Sequence, residues 1–193
     1  MDTEPIHTAK LQHGVTLIEL MITITVAGLL VALAAPPFKS MIARNRIAGY
    51  TNEFVAGLNL ARSEAVRRAG PMALRSTGGG IDFATGWQVF TDADGNHTMG
   101  AGDALVREQN ATSNSGATVK RVTRSGSAGS YTYADAATSM ADRMYVVFNS
   151  RGGNDSGAAA FFKICAPGDA SKGRIVQVTP SGRVSLDSTS ESC

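Results

Sequence analysis

An α+β fold is predicted, a long N-terminal helix followed by a mainly antiparallel, β-sandwich-like head, and three features of the 193-residue chain predict it. Apolar residues concentrate in one run of 21 residues, Val15 to Ala35, which holds a single charge, Glu19. Beyond it, apolar residues recur three or four positions apart as far as Gly70-Pro71. After Pro71 the pattern changes to short alternating segments between turn-rich strings, with no crossover helix, which favours antiparallel pairing.

Composition sets the outer bounds. With 43% hydrophobic and 18% charged residues the chain reads as an ordinary globular protein, against both intrinsic disorder and a multi-domain enzyme. Its 21 glycines follow no Gly-X-Y period, which excludes collagen. Two cysteines, Cys165 and Cys193, are too few for a Cys-rich zinc site or a dense disulfide scaffold. A net charge of +2 selects no partner by itself.

The apolar run comes first. At about 1.5 Å per residue it reaches roughly 30 Å as a helix, the thickness of a bilayer's hydrocarbon layer. A cleaved secretory signal peptide is the competing reading. The run is longer than a usual signal core, and a helical pattern continues after it in place of a small-x-small cleavage site. Phe38, Met41, Ile47, Tyr50, Phe54, Leu58, Ala61 and Ala65 mark the apolar stripe of that second segment, with Arg44, Asn45, Glu53, Arg62 and Arg67 largely elsewhere. Pro36 and Pro37 predict a kink or a short melted stretch between the two segments. Gly70-Pro71 ends the helix, and Arg67 and Arg68 in its last turn suit the negative end of the helix dipole.

Glu19 calls for an explanation, because a carboxylate in hydrocarbon costs several kcal/mol unless paired, protonated or near the interface. It lies four residues into the run, so it can sit at headgroup level. Alternatively, a cut after Gly14 would free the Val15 amine and make Glu19 the fifth residue, where it could pair with an ammonium group. The string His13-Gly14-Val15-Thr16-Leu17-Ile18-Glu19-Leu20, with Pro36 further on, resembles the class III signal of type IV pilins and type II secretion pseudopilins. Val15 replaces the more usual Phe or Met, and the leader's one positive charge, Lys10, is balanced by Asp2 and Glu4.

That resemblance implies a pilin-like fold with four parts: a leader at 1–14, a transmembrane and filament-core helix at 15–35, an amphipathic stalk at 36–70 and a periplasmic head at 71–193. It implies that a prepilin peptidase cuts between Gly14 and Val15, that the Val15 amine is methylated, and that Glu19 sets the register between subunits. The protein would wait in the inner membrane as a single-pass anchor, then pass through an inner-membrane assembly platform into a fibre with other minor pilins and the major pilin. Apolar stalks can exchange lipid for one another, keeping the same surface out of water.

Nine strands are expected in the head: Met72 to Arg75, Gly86 to Thr91, Ala104 to Gln109, Thr118 to Thr123, Tyr131 to Tyr133, Met144 to Asn149, Ala159 to Cys165, Arg174 to Thr179 and Arg183 to Leu186. They are expected to form two small sheets on or beside the C-terminal half of the helix. Ala61-Arg62-Ser63-Glu64-Ala65, Gly86-Trp87 with Val89-Phe90 and Asp92, Phe148-Asn149-Ser150-Arg151-Gly152 and Ser181-Gly182-Arg183-Val184 resemble the FimT/FimU/GspH group of minor pilins and pseudopilins. Trp87 and Phe90 read as core residues. Asp92-Ala93-Asp94-Gly95-Asn96 reads as a β-turn, because a calcium loop would place Gly sixth and Glu twelfth.

In the oxidising periplasm that the resemblance implies, Cys165 and Cys193 read as a disulfide, with two separate buried thiols as the alternative. Closing that loop would contribute about 3 to 4 kcal/mol in the chain-entropy model. No phosphate loop, Gly-x-Ser-x-Gly turn, Cys-x-x-Cys or zinc-helix motif is present, and His97 is the only histidine beyond the leader. Neither an enzyme nor a cofactor or metal is expected. The resemblance to the FimT branch of the group implies an alternative role, DNA binding through a C-terminal Gly-Arg-x-Arg string. Here Gly182-Arg183-Val184-Ser185 keeps the first arginine and has Ser for the second, and Lys172 and Arg174 are the candidate replacements. The reading is therefore a minor pilin that primes or caps a type IV pilus, with a DNA-binding pilin and a minor pseudopilin of type II secretion as alternatives.

Overall fold

The structure, a computed structural model, describes residues 14–111, 117–127, 130–135, 144–166 and 173–193. It divides into two units, residues up to Lys39 and residues Ser40–Cys193. One helix, α1, is assigned without a break over Leu17–Arg68, so the melted stretch expected at Pro36 and Pro37 is not seen.

In the second unit α1 is buried along one stripe: Ile47, Phe54, Leu58, Ala61 and Ala65 are almost inaccessible. Thr51 also lies on this stripe, and its hydroxyl donates to the Ile47 carbonyl at 2.6 Å, which satisfies it in an apolar setting. The stripe begins later than the sequence pattern suggests, since Phe38 and Met41 are exposed. The helix ends in a Schellman motif. Gly70 N–H donates to Ala65 O at 3.2 Å and Ala69 N–H to Val66 O at 3.3 Å. Ala69 takes the left-handed position, φ +52°, that glycine usually fills. Ala69→Gly should therefore raise stability by about 1 kcal/mol in denaturant unfolding, since a Cβ there costs roughly that much.

All nine expected strands are present: β1 Met72–Ser76, β2 Gly86–Thr91, β3 Leu105–Asn110, β4 Thr118–Ser127, β5 Ser130–Asp135, β6 Tyr145–Phe148, β7 Ala160–Cys165, β8 Gly173–Val178 and β9 Val184–Glu191. β4 and β9 run further than expected. Their distal halves are polar on both faces, so the hydrophobic pattern gives no sign of them, and backbone pairing with β5 and β8 holds them. A four-stranded sheet has the order β3-β2-β1-β6 and a five-stranded sheet the order β5-β4-β7-β8-β9. Every named strand pair is antiparallel.

Both sheets turn one face to α1 and share a core. Phe54 stands at its centre, edge-on to Phe83, Trp87 and Phe162 at ring separations of 5.4, 6.4 and 4.9 Å. Gly57 leaves the room that Trp87 fills, since a Cβ there would come within 2.4 Å of the indole. Two smaller clusters lie on the opposite faces. Ala73, Phe90 and Val147 form one on the four-stranded sheet, and Val122, Tyr133, Phe161 and Ile175 form the other on the five-stranded sheet. Trp87 and Phe90 are thus core residues. The edge strands β5 and β9 touch each other, and Tyr133 Oη donates to Asp187 Oδ2 at 2.6 Å, so the five-stranded sheet curls upon its second cluster.

Candidate functional site

The N-terminal unit presents Gly14 and Val15 as exposed chain just ahead of the helix. Thr16 caps α1: its Oγ1 accepts the Glu19 N–H at 3.2 Å and its carbonyl accepts the Leu20 N–H at 3.1 Å. Glu19 is then the third helical residue, where the carboxylate of a capping box stands and where the helix dipole favours negative charge. Its side chain is exposed.

The turns that follow are apolar on every side. Leu17, Ile18, Leu20, Met21, Ile22, Ile24, Val26, Leu29, Leu30, Val31 and Leu33 are each at least half exposed. The polar groups among them turn inward: Thr23 donates to Leu20 O at 2.8 Å and Thr25 to Met21 O at 2.7 Å. A helix that is apolar all round is stable only within lipid or among other apolar helices. Among the described residues no helix is long and apolar enough to cross a membrane. The described apolar side chains of the run end at Leu33, and those at 34–37 lie outside.

In the second unit the strings noted in the sequence meet at one junction. Arg62 Nε donates to the Gly152 carbonyl at 3.0 Å and its Nη2 to the Ser181 carbonyl at 3.3 Å. Gly152 (φ +76°) and Gly182 (φ +77°) abut so closely that a Cβ on Gly182 would fall 1.8 Å from the Gly152 oxygen. Asn154 N–H donates to Pro180 O at 3.0 Å beside them. Two residues further along α1, Glu64 takes hydrogen bonds from Arg67 and Arg68, which draw its carboxyl down from the usual range to about 2 and keep it ionised.

The residues considered for DNA do not gather. Arg174 pairs with Ser190 at one end of the β8–β9 ladder, and Arg183 lies beyond the Val178–Val184 pair at the other. Four residues of strand, roughly 13 Å, separate Arg174 from that pair. Lys172 lies outside the described residues. Asp135 and Asp187, on the same sheet, bring negative charge to it.

The carboxylates of the 92–103 loop are engaged within it. Buried Asp92 accepts the His97 N–H at 3.0 Å and sits 2.6 Å from His97 Nδ1; the ring of His97 stacks on Tyr145. Asp94 accepts from Asn96, and Asp103 accepts from Ala93 and Gly100. Among the described residues no group of three or more His, Cys, Asp or Glu stands together to hold a metal ion. Cys165 and Cys193 form a disulfide with Cα atoms 5.9 Å apart, and Gly173 clears space for it, since a Cβ there would come within 2.9 Å of the Cys193 sulfur.

An apolar N-terminal helix, together with a head in which two antiparallel sheets pack on a helix, defines a type IV pilin-like protein of the minor pilin or pseudopilin kind. The sequence matches the family described as type II transport protein GspH over residues 50–182 and the prokaryotic N-terminal methylation motif over residues 9–35, and the chain belongs to the GspH family. The fold is similar to two crystal forms of the type IV minor pilin FimU of Pseudomonas aeruginosa strain PAO1. One has a TM-score of 0.56 at 20% identity, covering 78% of this chain and 96% of that one. The other has a TM-score of 0.51 at 20% identity, covering 74% and 95%. No curated protein matches the chain.

Two features of these sites escape the sequence reading. The Thr16-x-x-Glu19 spacing is a capping-box signature that could have been found. The reach of Arg62 to residues 90 and 119 positions later carries no local signal.

Proposed function

We propose that the protein is a non-enzymatic minor pilin that primes or caps a type IV pilus through stalk packing and head contacts with other minor pilins. The observation that carries this is the capped helix, apolar on all sides, with Gly14-Val15 just before it and Glu19 in its first turn. Cleavage between Gly14 and Val15 by a prepilin peptidase would free the amine that Glu19 pairs with. Before assembly, Val15 to Ala35 would anchor the chain in the bacterial inner membrane, with the head, 71–193, in the periplasm. The match of residues 50–182 to the GspH family supports a second reading, a minor pseudopilin of type II secretion. DNA uptake is not favoured, because Arg174 and Arg183 stand apart.

Cross-linking of the full-length chain in its own cells, followed by mass spectrometry, tests this. The mature chain should begin at an N-methylated Val15 and should be captured with minor pilins. Capture with secretion-system pseudopilins alone would move the assignment to the second reading. A mature chain beginning downstream of the apolar run would overturn both.

A further inference from the structure

We propose that the curled face of the five-stranded sheet carries a carboxylate-binding site centred on Arg124, which takes an acidic side chain of a partner protein. Strand register places the parts: Arg124 stands opposite Tyr133 and Val122 opposite Phe161, so β4, β5 and β7 bring these residues to one face. The Arg124 guanidinium lies 4.3 Å from the ring centre of Tyr131 and 4.4 Å from that of Phe161. Held between two rings, the planar group loses much of its rotational freedom before any ligand arrives, and its N–H edge stays available for a fork-to-fork contact.

Charge on this face is distributed unevenly. Lys120 and Lys163 share Asp135 at 3.0 and 3.9 Å, whereas the Arg124 side chain has no hydrogen bond or ion pair among the described residues. Beside it lies a cavity of about 320 Å³. Arg124 gives that cavity its charge, Val122, Ala159 and Phe161 give it an apolar wall, and no carboxylate among the described residues lines it. Arg121, one step out of phase with Arg124 on β4, carries its guanidinium to the other face, 5.2 Å from the Phe162 ring centre and bonded to the Tyr145 carbonyl at 3.1 Å. One guanidinium over an apolar floor matches a single carboxylate on a short aliphatic stem. A nucleic-acid backbone would need a row of unpaired cations, and Asp135 and Asp187 interrupt any such row. The site stands on this geometry alone and is independent of the pilus reading.

The test uses the full-length chain in detergent micelles, with arginine side-chain and backbone amide resonances followed by NMR. The probes are acetyl-Ala-Leu-Glu-Ala-amide, the same peptide with Gln for Glu, inorganic phosphate and a ten-nucleotide DNA strand. The Glu peptide should shift the Arg124 Nε–H and the Ala158 and Ala159 amides saturably, and the Gln peptide should bind at least tenfold more weakly. Arg124→Lys keeps the charge and loses the planar fork, so it should weaken binding at least fivefold while the Tyr133 and Phe161 signals stay in place. Absence of saturable shifts, equal binding of the Gln peptide, or unchanged affinity in Arg124→Lys would overturn the proposal. Tighter binding of phosphate or DNA at the same signals would also overturn it.

Discussion

Gly182→Ala is expected to destabilise the head by about 4 kcal/mol, read as a fall in the denaturation midpoint at unchanged slope. A left-handed alanine costs about 1–2 kcal/mol by itself. Overpacking adds about 1–3 kcal/mol, because the new methyl would sit 1.8 Å from the Gly152 oxygen. Gly152 cannot retreat: its N–H is tied to Asn149 O at 2.8 Å, its carbonyl is held by Arg62, and its own Cα faces Val66. Ser181→Ala, one residue earlier, should change stability by less than about 0.5 kcal/mol, because it removes only an exposed hydroxyl contact to Thr179. A Gly182→Ala protein within about 1 kcal/mol of the parent would show that the two turns slide past each other freely.

The second large effect is expected at Glu19. Glu19→Ala should reduce incorporation into filaments at least tenfold in a shear-and-sediment assay while leaving head stability unchanged. Two readings of Glu19 compete, and glutamine separates them. As a member of a capping box with Thr16, Glu19 can be replaced by Gln, which caps as well. As the partner of a free Val15 amine it cannot, because Gln has no charge to offer. Glu19→Gln assembling as poorly as Glu19→Ala supports pairing between amine and carboxylate. Normal assembly of Glu19→Gln would reduce the residue to a helix cap, and Thr16→Ala should then be the more damaging change.

Much of this architecture was legible because its signals are local. The period of apolar residues from Ile47 to Ala65 marks the buried stripe, and the turn strings around Asp92 and Ser150 mark where strands stop. The second half of β9 was hidden, since Asp187-Ser-Thr-Ser-Glu191 pairs through its backbone with no apolar face to betray it. Closeness along the chain does not survive a hairpin either, and Arg174 and Arg183 occupy opposite ends of one. Arg124 carries no local signal, because Tyr131 and Phe161 become its neighbours only when β5 and β7 flank β4. The strings around Arg62, Gly152 and Gly182 were visible as a family likeness, yet their reason for being was visible only in three dimensions.

The two sheets have no strand in common, and the bonds of Arg62 reach the loops of both at once: Gly152 follows the strand β6 of one, and Ser181 joins β8 to β9 in the other. A pull applied along α1 would therefore arrive at both sheets together, and the Asn154–Pro180 bond ties the two loops to each other. Such links must rupture jointly and not one after another, so in a force-extension measurement the head should yield in a single peak, and Arg62→Ala should split or lower it.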